Sequence, residues 1–430
     1  MKEPLRIGIA GLGTVGGGLV RLLTENEDHI AARCGRRIRI NGISARDRHK
    51  DRGFWPGRFE WFEDARELAQ SDLIDVLVEL IGGENVAAQV VEKALESGKH
   101  VVTANKALIA AQGARLAALA EKWNLALNFE AAAAGGIPIV KALREGLAGN
   151  IITRVVGILN GTCNYILTQM EETGRPFADV LAEAQDLGYA EKPDPTLDTG
   201  GFDTAHKLAI LASLAFGTAP DAAGVYVQGI DRISPVDISF AAEFGHRIKL
   251  LGIAAVTPRG VEARVHPTMV PLGTPLADVM GVLNGVVTES SAAGVSVLEG
   301  RGAGAGPTAS AVVSDLIDIA RGLRIPAFGI PTASLVVPER ANLGEREGTF
   351  YLRFNVLDRP GVLATIASCL ADQAVSIESM IQRGRAPDEK VSIVIITHEA
   401  REAAVIAAMK AVEAAGAVVE PPCMIRMERL

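Results

Sequence analysis

The sequence predicts an α/β protein in three parts: a nucleotide-binding domain on a doubly wound parallel sheet, an α+β middle domain, and a small C-terminal βαββαβ module. Three observations carry this. Leu5 to Ala10 reads as a short buried strand and runs straight into Gly11, Gly13 and Gly16, in GxGxxG spacing, at the head of an amphipathic helix. Strand-like runs recur at RIRINGIS, DLIDVLVELIGG and KHVVTAN with helical stretches between them, the alternation of a parallel sheet with crossover helices. From Gly348 the pattern switches to short strands and two helices. A chain of 430 residues, 48% of them apolar, can fill about three domains of roughly 150 residues each.

In the first domain, residues 1–130, Gly11 permits a tight turn, Gly13 lets the backbone approach a pyrophosphate, and Gly16 lets helix and strand pack closely. Leu12, Thr14 and Val15 complete this cradle, whose helix N-terminus offers N–H donors to phosphate. The second strand should end near Ser44. An acid that bonds the ribose hydroxyls of NAD is common there, but the chain reads Ser44-Ala45-Arg46-Asp47-Arg48-His49-Lys50. Arg46, helped by Arg48 or Lys50, can pair with a 2′-phosphate, so NADP is favoured over NAD; a solvated basic turn is the plainer alternative.

Lys106 follows the apolar run His100 to Val102 at the carboxyl end of a strand, where ligands of such sheets bind, although a surface lysine would read the same way. The stretch FEAAAAGGIPIV, Phe129 to Val140, implies a tight turn at Gly135-Gly136 with free carbonyls. Ile151 to Leu159 is a β-branched strand entering the turn Asn160 to Asn164, with a helix expected from about Tyr165. The most charged stretch, GYAEKPDPTLDTGGFDTAHK from Gly188 to Lys207, puts four carboxylates and two lysines around a Pro- and Gly-rich bend. Asp203 and Lys207 are four apart and share a helical face, which fits either a site or a plain surface pair.

The strands IKLLGIAAVT, VEARVHPTMV and GVSVLEG belong to the middle domain, residues 131–330, and a helix around 307–323 should return to the nucleotide domain. Residues 331–347 read as a linker. The C-terminal module, 348–430, runs FYLRFNV, LDRPGVLATIASCLADQ, VSIESMIQR, KVSIVIITHEA, REAAVIAAMKAVEAAG and AVVEPPCMIRM.

Composition excludes several classes. The 43 basic and 51 acidic residues leave a net charge of −8 with no basic block, so neither nucleic acid nor an anionic membrane is an expected partner. Cys34, Cys163, Cys369 and Cys423 form no CxxC pair, which argues against a zinc site or disulfide framework and for a cytoplasmic setting. There is no signal-peptide pattern, and the run LAILASLAF is too short to span a bilayer. His398 and Glu399 lack the second histidine of a zinc protease motif, and His206, His246 and His266 have no ligand spacing.

In order, GLGTVG, VELIGG, TANKALIA, FEAAAAGGIPIV, GILNGTCNYIL, DPTLDTGGFDTAHKLAIL and RGAGAGPTASAVVSDL resemble homoserine dehydrogenase over essentially the whole chain. The resemblance implies reversible interconversion of homoserine and aspartate 4-semialdehyde with NAD(P), on the path to threonine, methionine and isoleucine. It implies that Lys207 exchanges a proton with the substrate oxygen and that Lys106 helps hold substrate and cofactor. Asp203 then matches the carboxylate that meets the substrate amino group or its lysine partner, Glu191 a second substrate-side carboxylate, and Asp198 a supporting acid. Gly188 and Gly304 match turns near the cofactor. Glu130, Ala133, Gly135 and Ile137 match a loop that holds sodium, chiefly through backbone carbonyls. Two features depart from the family pattern: Glu191 to Asp198 spans one residue more than usual, and Gly200 replaces a frequent acid.

The C-terminal module resembles an ACT domain of ferredoxin-like fold. The resemblance implies feedback inhibition by threonine at a turn formed by Asp358, Arg359, Pro360 and Gly361; a module that only assembles subunits is the alternative. The resemblance to homoserine dehydrogenase in turn makes residues 131–330 the catalytic and dimerisation domain, whose sheet joins subunits, and implies a homodimer or homotetramer. Another amino-acid dehydrogenase on this scaffold, or a non-catalytic sensor of nucleotide and amino acid, would share most of these features. A sensor has no need of a proton-transfer lysine.

Overall fold

In the computed structural model, which describes residues 3–383 and 389–429, the first third of the chain forms a six-stranded parallel sheet ordered β3-β2-β1-β4-β5-β6. Its strands are β1 (Leu5–Ala10), β2 (Ile38–Ser44), β3 (Glu60–Phe62), β4 (Val76–Glu79), β5 (His100–Thr103) and β6 (Leu127–Asn128). The helices between them are α1 (Thr14–Glu25), α2 (Glu27–Cys34), α3 (Ala65–Gln70), α4 (Asn85–Glu96) and α5 (Lys106–Lys122). The strand order reverses between β1 and β4, so a crevice opens at their carboxyl ends, the usual place for a dinucleotide. The inner strands are buried on both faces, as near-continuous apolar runs such as Val76 to Val78 require.

The middle of the chain supplies α6 (Ile139–Lys141), β7 (Ile152–Ile158), α7 (Gly161–Thr173), α8 (Phe177–Asp186), α9 (Thr196–Thr199) and α10 (Phe202–Phe216). After them come β8 (Tyr226–Val227), α11 (Pro235–Glu243), β9 (His246–Thr257), β10 (Gly260–Pro271), β11 (Leu283–Ser290), β12 (Gly294–Arg301) and α12 (Ala305–Arg321). Helix α10, apolar from Leu208 to Leu214, is buried against β7, β9 and β10 and against α5, and so joins the two sheets at the crevice. Helix α12 packs on α1, where a side chain on Gly18 would collide with the Ala305 carbonyl. The helix after β7 starts at Gly161, four residues before the sequence suggested. Asn160 caps it by accepting a hydrogen bond from the Cys163 N–H at 2.8 Å, and the apparent turn is the first helical turn.

Residues 331–347 run as a strap along the middle domain. Val336 bridges Thr218, Arg340 bridges Val261, and the Arg340 guanidinium pairs with Asp221 at 2.7 Å. The last segment comprises β13 (Glu347–Leu357), α13 (Val362–Asp372), β14 (Ile377–Gln382), β15 (Lys390–Thr397), β16 (Ala400–Arg401), α14 (Glu402–Ala414) and β17 (Cys423–Met427). Its strands continue the middle sheet: β17 pairs in parallel with β10 at Thr268–Arg426 and Met269–Met427, giving the path β12-β11-β7-β9-β10-β17-β13-β15-β14. Among the described residues no helix is long and apolar enough to cross a membrane.

Candidate active site

At the crevice, Gly11 has a φ of +104° and its N–H bonds to the Ser44 carbonyl at 2.9 Å. A Cβ there would strike the Leu80 carbonyl, and a Cβ on Gly16 would strike that of Gly11; only glycine fits either place. Gly13, the N-cap of α1, faces open space, and no side chain caps the helix. Thr14 is exposed and Val15 half-buried, while Leu12 packs into the core. Uncapped N–H groups at an open glycine suit a pyrophosphate, so these residues fit a dinucleotide. Gly304, with φ +118°, is likewise an uncapped N-cap at the head of α12, beside α1.

Arg46 stands exposed just beyond β2. Arg48 is drawn aside over the Trp61 ring and toward Glu63. Arg52, which the sequence did not single out, bonds the Leu12 carbonyl at 3.1 Å and holds the basic loop against the glycine turn.

Lys106 is the first residue of α5, set there by a buried relay. The Glu79 carboxylate, fully buried, accepts from the N–H groups of Ile81 and Gly82 at 2.7 and 3.1 Å and from the Thr103 hydroxyl at 2.5 Å. Asn105 caps α5 through Leu108 and donates to the Gly83 carbonyl at 2.6 Å. The relay locks the ends of β4 and β5 together and aims Lys106 across the crevice at α10.

There Asp203, 3% exposed, receives both lysines: Lys106 Nζ at 2.8 Å on one oxygen and Lys207 Nζ at 2.7 Å on the other. Lys207 also donates to the Leu159 carbonyl at 2.8 Å. Asn160 Nδ2 donates to Asp203 at 2.9 Å and to Asp198 at 2.8 Å, linking the two acids. Burial alone would raise the Asp203 pKa, but the two ammonium groups outweigh it and hold the carboxyl well below its usual range. Lys106 is raised above its ordinary value for the matching reason: its desolvation is overcome by Asp203, with Asp198 and Glu191 adding to the effect. Asp198 is raised, chiefly by burial.

The charged bend thus divides. Asp203, Lys207 and Asp198 converge, and Glu191 is exposed but near enough to be felt by Lys106. Lys192 turns away to Asp186, and Asp194 caps its own turn by accepting from the Thr196 N–H. Gly188, with φ +75°, lies in the turn after α8, which is tied to the head of α7 by the Thr162 hydroxyl bonding the Tyr189 carbonyl at 2.6 Å. Asn160 and the Glu79 relay escaped the sequence reading. An Asn ahead of an apolar-periodic run is the N-cap signal that could have found Asn160.

In the Phe129–Val140 loop, Ala134 and Gly135 both adopt left-handed backbone. The Glu130 carboxylate is taken up by the N–H groups of Val140 and Lys141 at 3.0 and 2.8 Å, so this side chain does not face a ligand. Its pKa is pushed up to about 7, first by burial and then by Asp315, which is itself pushed up to about 6, chiefly by burial. One Asp315 oxygen lies buried without a hydrogen-bond partner among the described residues. Arg144 and Lys141 lie close enough to these carboxyls to offset their charge, so what fits a monovalent cation here is the main chain: the carbonyls of Glu130, Ala133, Gly135 and Ile137, the last also accepting from the Ile139 N–H at 2.8 Å.

In the C-terminal module Asp358 to Gly361 form the turn from β13 into α13, with Gly361 as a left-handed N-cap and Asp358 bonded to the Glu389 carbonyl through its N–H.

Residues 138–317 match the model of the homoserine dehydrogenase family, residues 11–130 that of the homoserine dehydrogenase NAD-binding domain, and residues 350–414 that of the ACT domain. A homoserine dehydrogenase of Neisseria gonorrhoeae is 46% identical, over 100% of this chain and 99% of its own; one of Pseudomonas aeruginosa is 44% identical over the whole of both. The crystal structure of a homoserine dehydrogenase from Thiobacillus denitrificans superposes with a TM-score of 0.93 at 42% identity, over 99% of this chain and 98% of that one. A hyperthermophilic archaeal homoserine dehydrogenase in complex with NADPH superposes with a TM-score of 0.64 at 27% identity, over 74% of this chain and 98% of that one.

Proposed function

The chain belongs to the homoserine dehydrogenase family, and from that premise we propose how its residues divide the work of oxidising homoserine to aspartate 4-semialdehyde and of the reverse reduction. One observation carries the assignment: a single buried carboxylate, Asp203, is shared by two lysines, Lys106 and Lys207. Two ammonium groups on one carboxylate leave a local excess of positive charge. That positive charge stabilises the alkoxide as the hydroxyl ionises.

The bound nicotinamide supplies the acceptor of the hydride from the carbinol carbon. Lys207, in its amine form, takes the hydroxyl proton and returns it in the reverse direction. Lys106, kept protonated by Asp203, stays as the fixed charge beside the oxygen and toward the cofactor. Asp203 and Asn160 hold both lysines in place. Asp198 and Glu191 face the substrate ammonium, and in this reading Glu191 reaches it despite the longer spacing to Asp198.

The cofactor-facing groups are Gly11 to Gly16, Gly188 and Gly304. Exposed Arg46, free of any ion pair within 4 Å among the described residues, supports NADP over NAD. Sodium at the Phe129–Val140 loop, threonine at the Asp358–Gly361 turn, a homodimer or homotetramer, and a cytoplasmic location complete the reading.

Initial rates of nicotinamide reduction by homoserine with NADP and with NAD, for the parent and for Arg46→Asp, test cofactor choice. The parent should favour NADP and the variant should lose that preference by about tenfold or more, on the scale of a lost charge-assisted pair. An unchanged ratio would remove Arg46 from the cofactor site. Threonine should inhibit the parent, and inhibition should weaken in Asp358→Ala. Threonine without effect would leave the module an assembly device.

A further inference from the structure

We propose that the cleft at the amino ends of the parallel strands, on the face opposite the dinucleotide crevice, binds a small di- or trianion whose phosphate or carboxylate groups are held by Arg36, Arg39 and Arg324. The cleft encloses about 680 Å³. Three separate observations point to an anion.

First, like charges are stacked in the sheet. Arg6 and Arg39 are register partners on β1 and β2, a placement that repels unless an anion lies between them. Arg6 is neutralised by Asp75, which it grips at 2.5 Å; Arg39, exposed, has no carboxylate within 4 Å among the described residues. Glu3, at the cleft's rim, is felt by Arg6, and Arg36 acts on Asp75, more weakly than Arg6 does.

Second, Arg36 has a buried Nε with no hydrogen-bond partner among the described residues, an arrangement that costs free energy until an acceptor arrives.

Third, Arg324 faces a ring that cannot serve it. The Ala126 N–H donates to His100 Nδ1 at 3.0 Å, so the proton of the neutral imidazole sits on Nε2. Arg324 Nη2 lies 3.0 Å from that same Nε2 and meets a donor instead of an acceptor. Burial and the nearby guanidinium keep His100 neutral, so it adds no charge to the cleft.

The C-terminal ends of α2 and α12, which lie just before Arg36 and Arg324, offset part of the repulsion, and this explains how the cluster folds without a counter-anion. The choice between phosphate and carboxylate is left to experiment, because a guanidinium fork fits both. Among the described residues only Pro4, Leu5 and Ile319 give apolar lining, and none of these is an aromatic platform for a base.

The test is calorimetric titration of the full chain with pyrophosphate and with citrate at constant ionic strength, in saturating NADP so that the other phosphate site is filled. One site per chain is expected, weakened at least tenfold in Arg39→Gln/Arg324→Gln and in Arg36→Gln, with KM for homoserine and NADP unchanged. The double variant changes exposed side chains only and should fold. Heat from pyrophosphate alone, citrate alone or both identifies the group recognised. No heat beyond a chloride control, equal binding to the double variant, or a lower mass by light scattering for the double variant than for the parent, which would place the arginines between copies of the chain, would overturn the proposal.

Discussion

Asn160 does two jobs with one side chain: its Oδ1 caps α7 while its Nδ2 fixes Asp198 and Asp203 relative to each other. Asn160→Ala should therefore cost about 1–2 kcal/mol of stability through the lost cap. It should also lower kcat by roughly tenfold, the scale of one lost hydrogen bond to a charged group. Equilibrium unfolding and initial rates read the two effects separately, and a variant that lost stability alone would confine Asn160 to capping. His100 gives a pH-dependent prediction. Its folded pKa is lowered from 6.5 to about 4, chiefly by burial, so the unfolded chain binds a proton that the folded one refuses. The stability this represents is present above about pH 6.5 and is lost as pH falls toward about 4. His100→Gln should flatten the change in urea midpoint between pH 7 and pH 5.

At the scale of elements, the glycine turn separates folding from binding. Gly16→Ala drives a methyl into the Gly11 carbonyl and should destabilise the domain by about 1–3 kcal/mol, whereas the open Gly13 should accept alanine with little change in stability. Both should raise the KM for the cofactor, because a Cβ at Gly13 occupies the space a phosphate would use. Thermal melts and cofactor titrations of the two variants distinguish them; equal destabilisation would contradict the geometry. This turn was legible in the sequence because its chemistry is local. So was the i, i+4 relation of Asp203 and Lys207. What the sequence hid is non-local: Lys106 lies 97 positions from Asp203, and only the packing of α5 on α10 brings them together. The Asn160 cap was masked by reading Asn160 to Asn164 as a turn, since Gly161 inside a helical start lowers its apparent propensity.

At the scale of the whole molecule, the C-terminal module is continuous with the middle sheet. Sequence pattern alone gave its βαββαβ order, not the β10–β17 seam, because pairing between strands so far apart leaves no local trace. Glu428, following β17, is buried among Arg154, Arg264 and Arg346, each within ion-pair distance. Tyr351 and Arg353 of β13 are bonded to the fully buried Asp237 of α11. Each guanidinium keeps a second acid, Glu289 for Arg154, Glu262 for Arg264 and Glu402 for Arg346, so Glu428→Gln should cost about 1–3 kcal/mol, the scale of lost hydrogen bonds to charged groups. Unfolding followed by denaturant should then show the module loosening from the middle sheet, and a loss under 1 kcal/mol would mean that the seam rests on its backbone pairing.

The proposed mechanism has Lys207 move the proton while Asp203 ties Lys207 to Lys106. It is tested most directly by the homoserine-dependent reduction of NADP by the folded Lys207→Ala variant, followed in the near ultraviolet. A kcat lower by about 10²–10⁴ with the KM for NADP little changed is expected, as befits loss of a general base. Near-parental turnover from a folded variant would contradict it and pass the proton to another group.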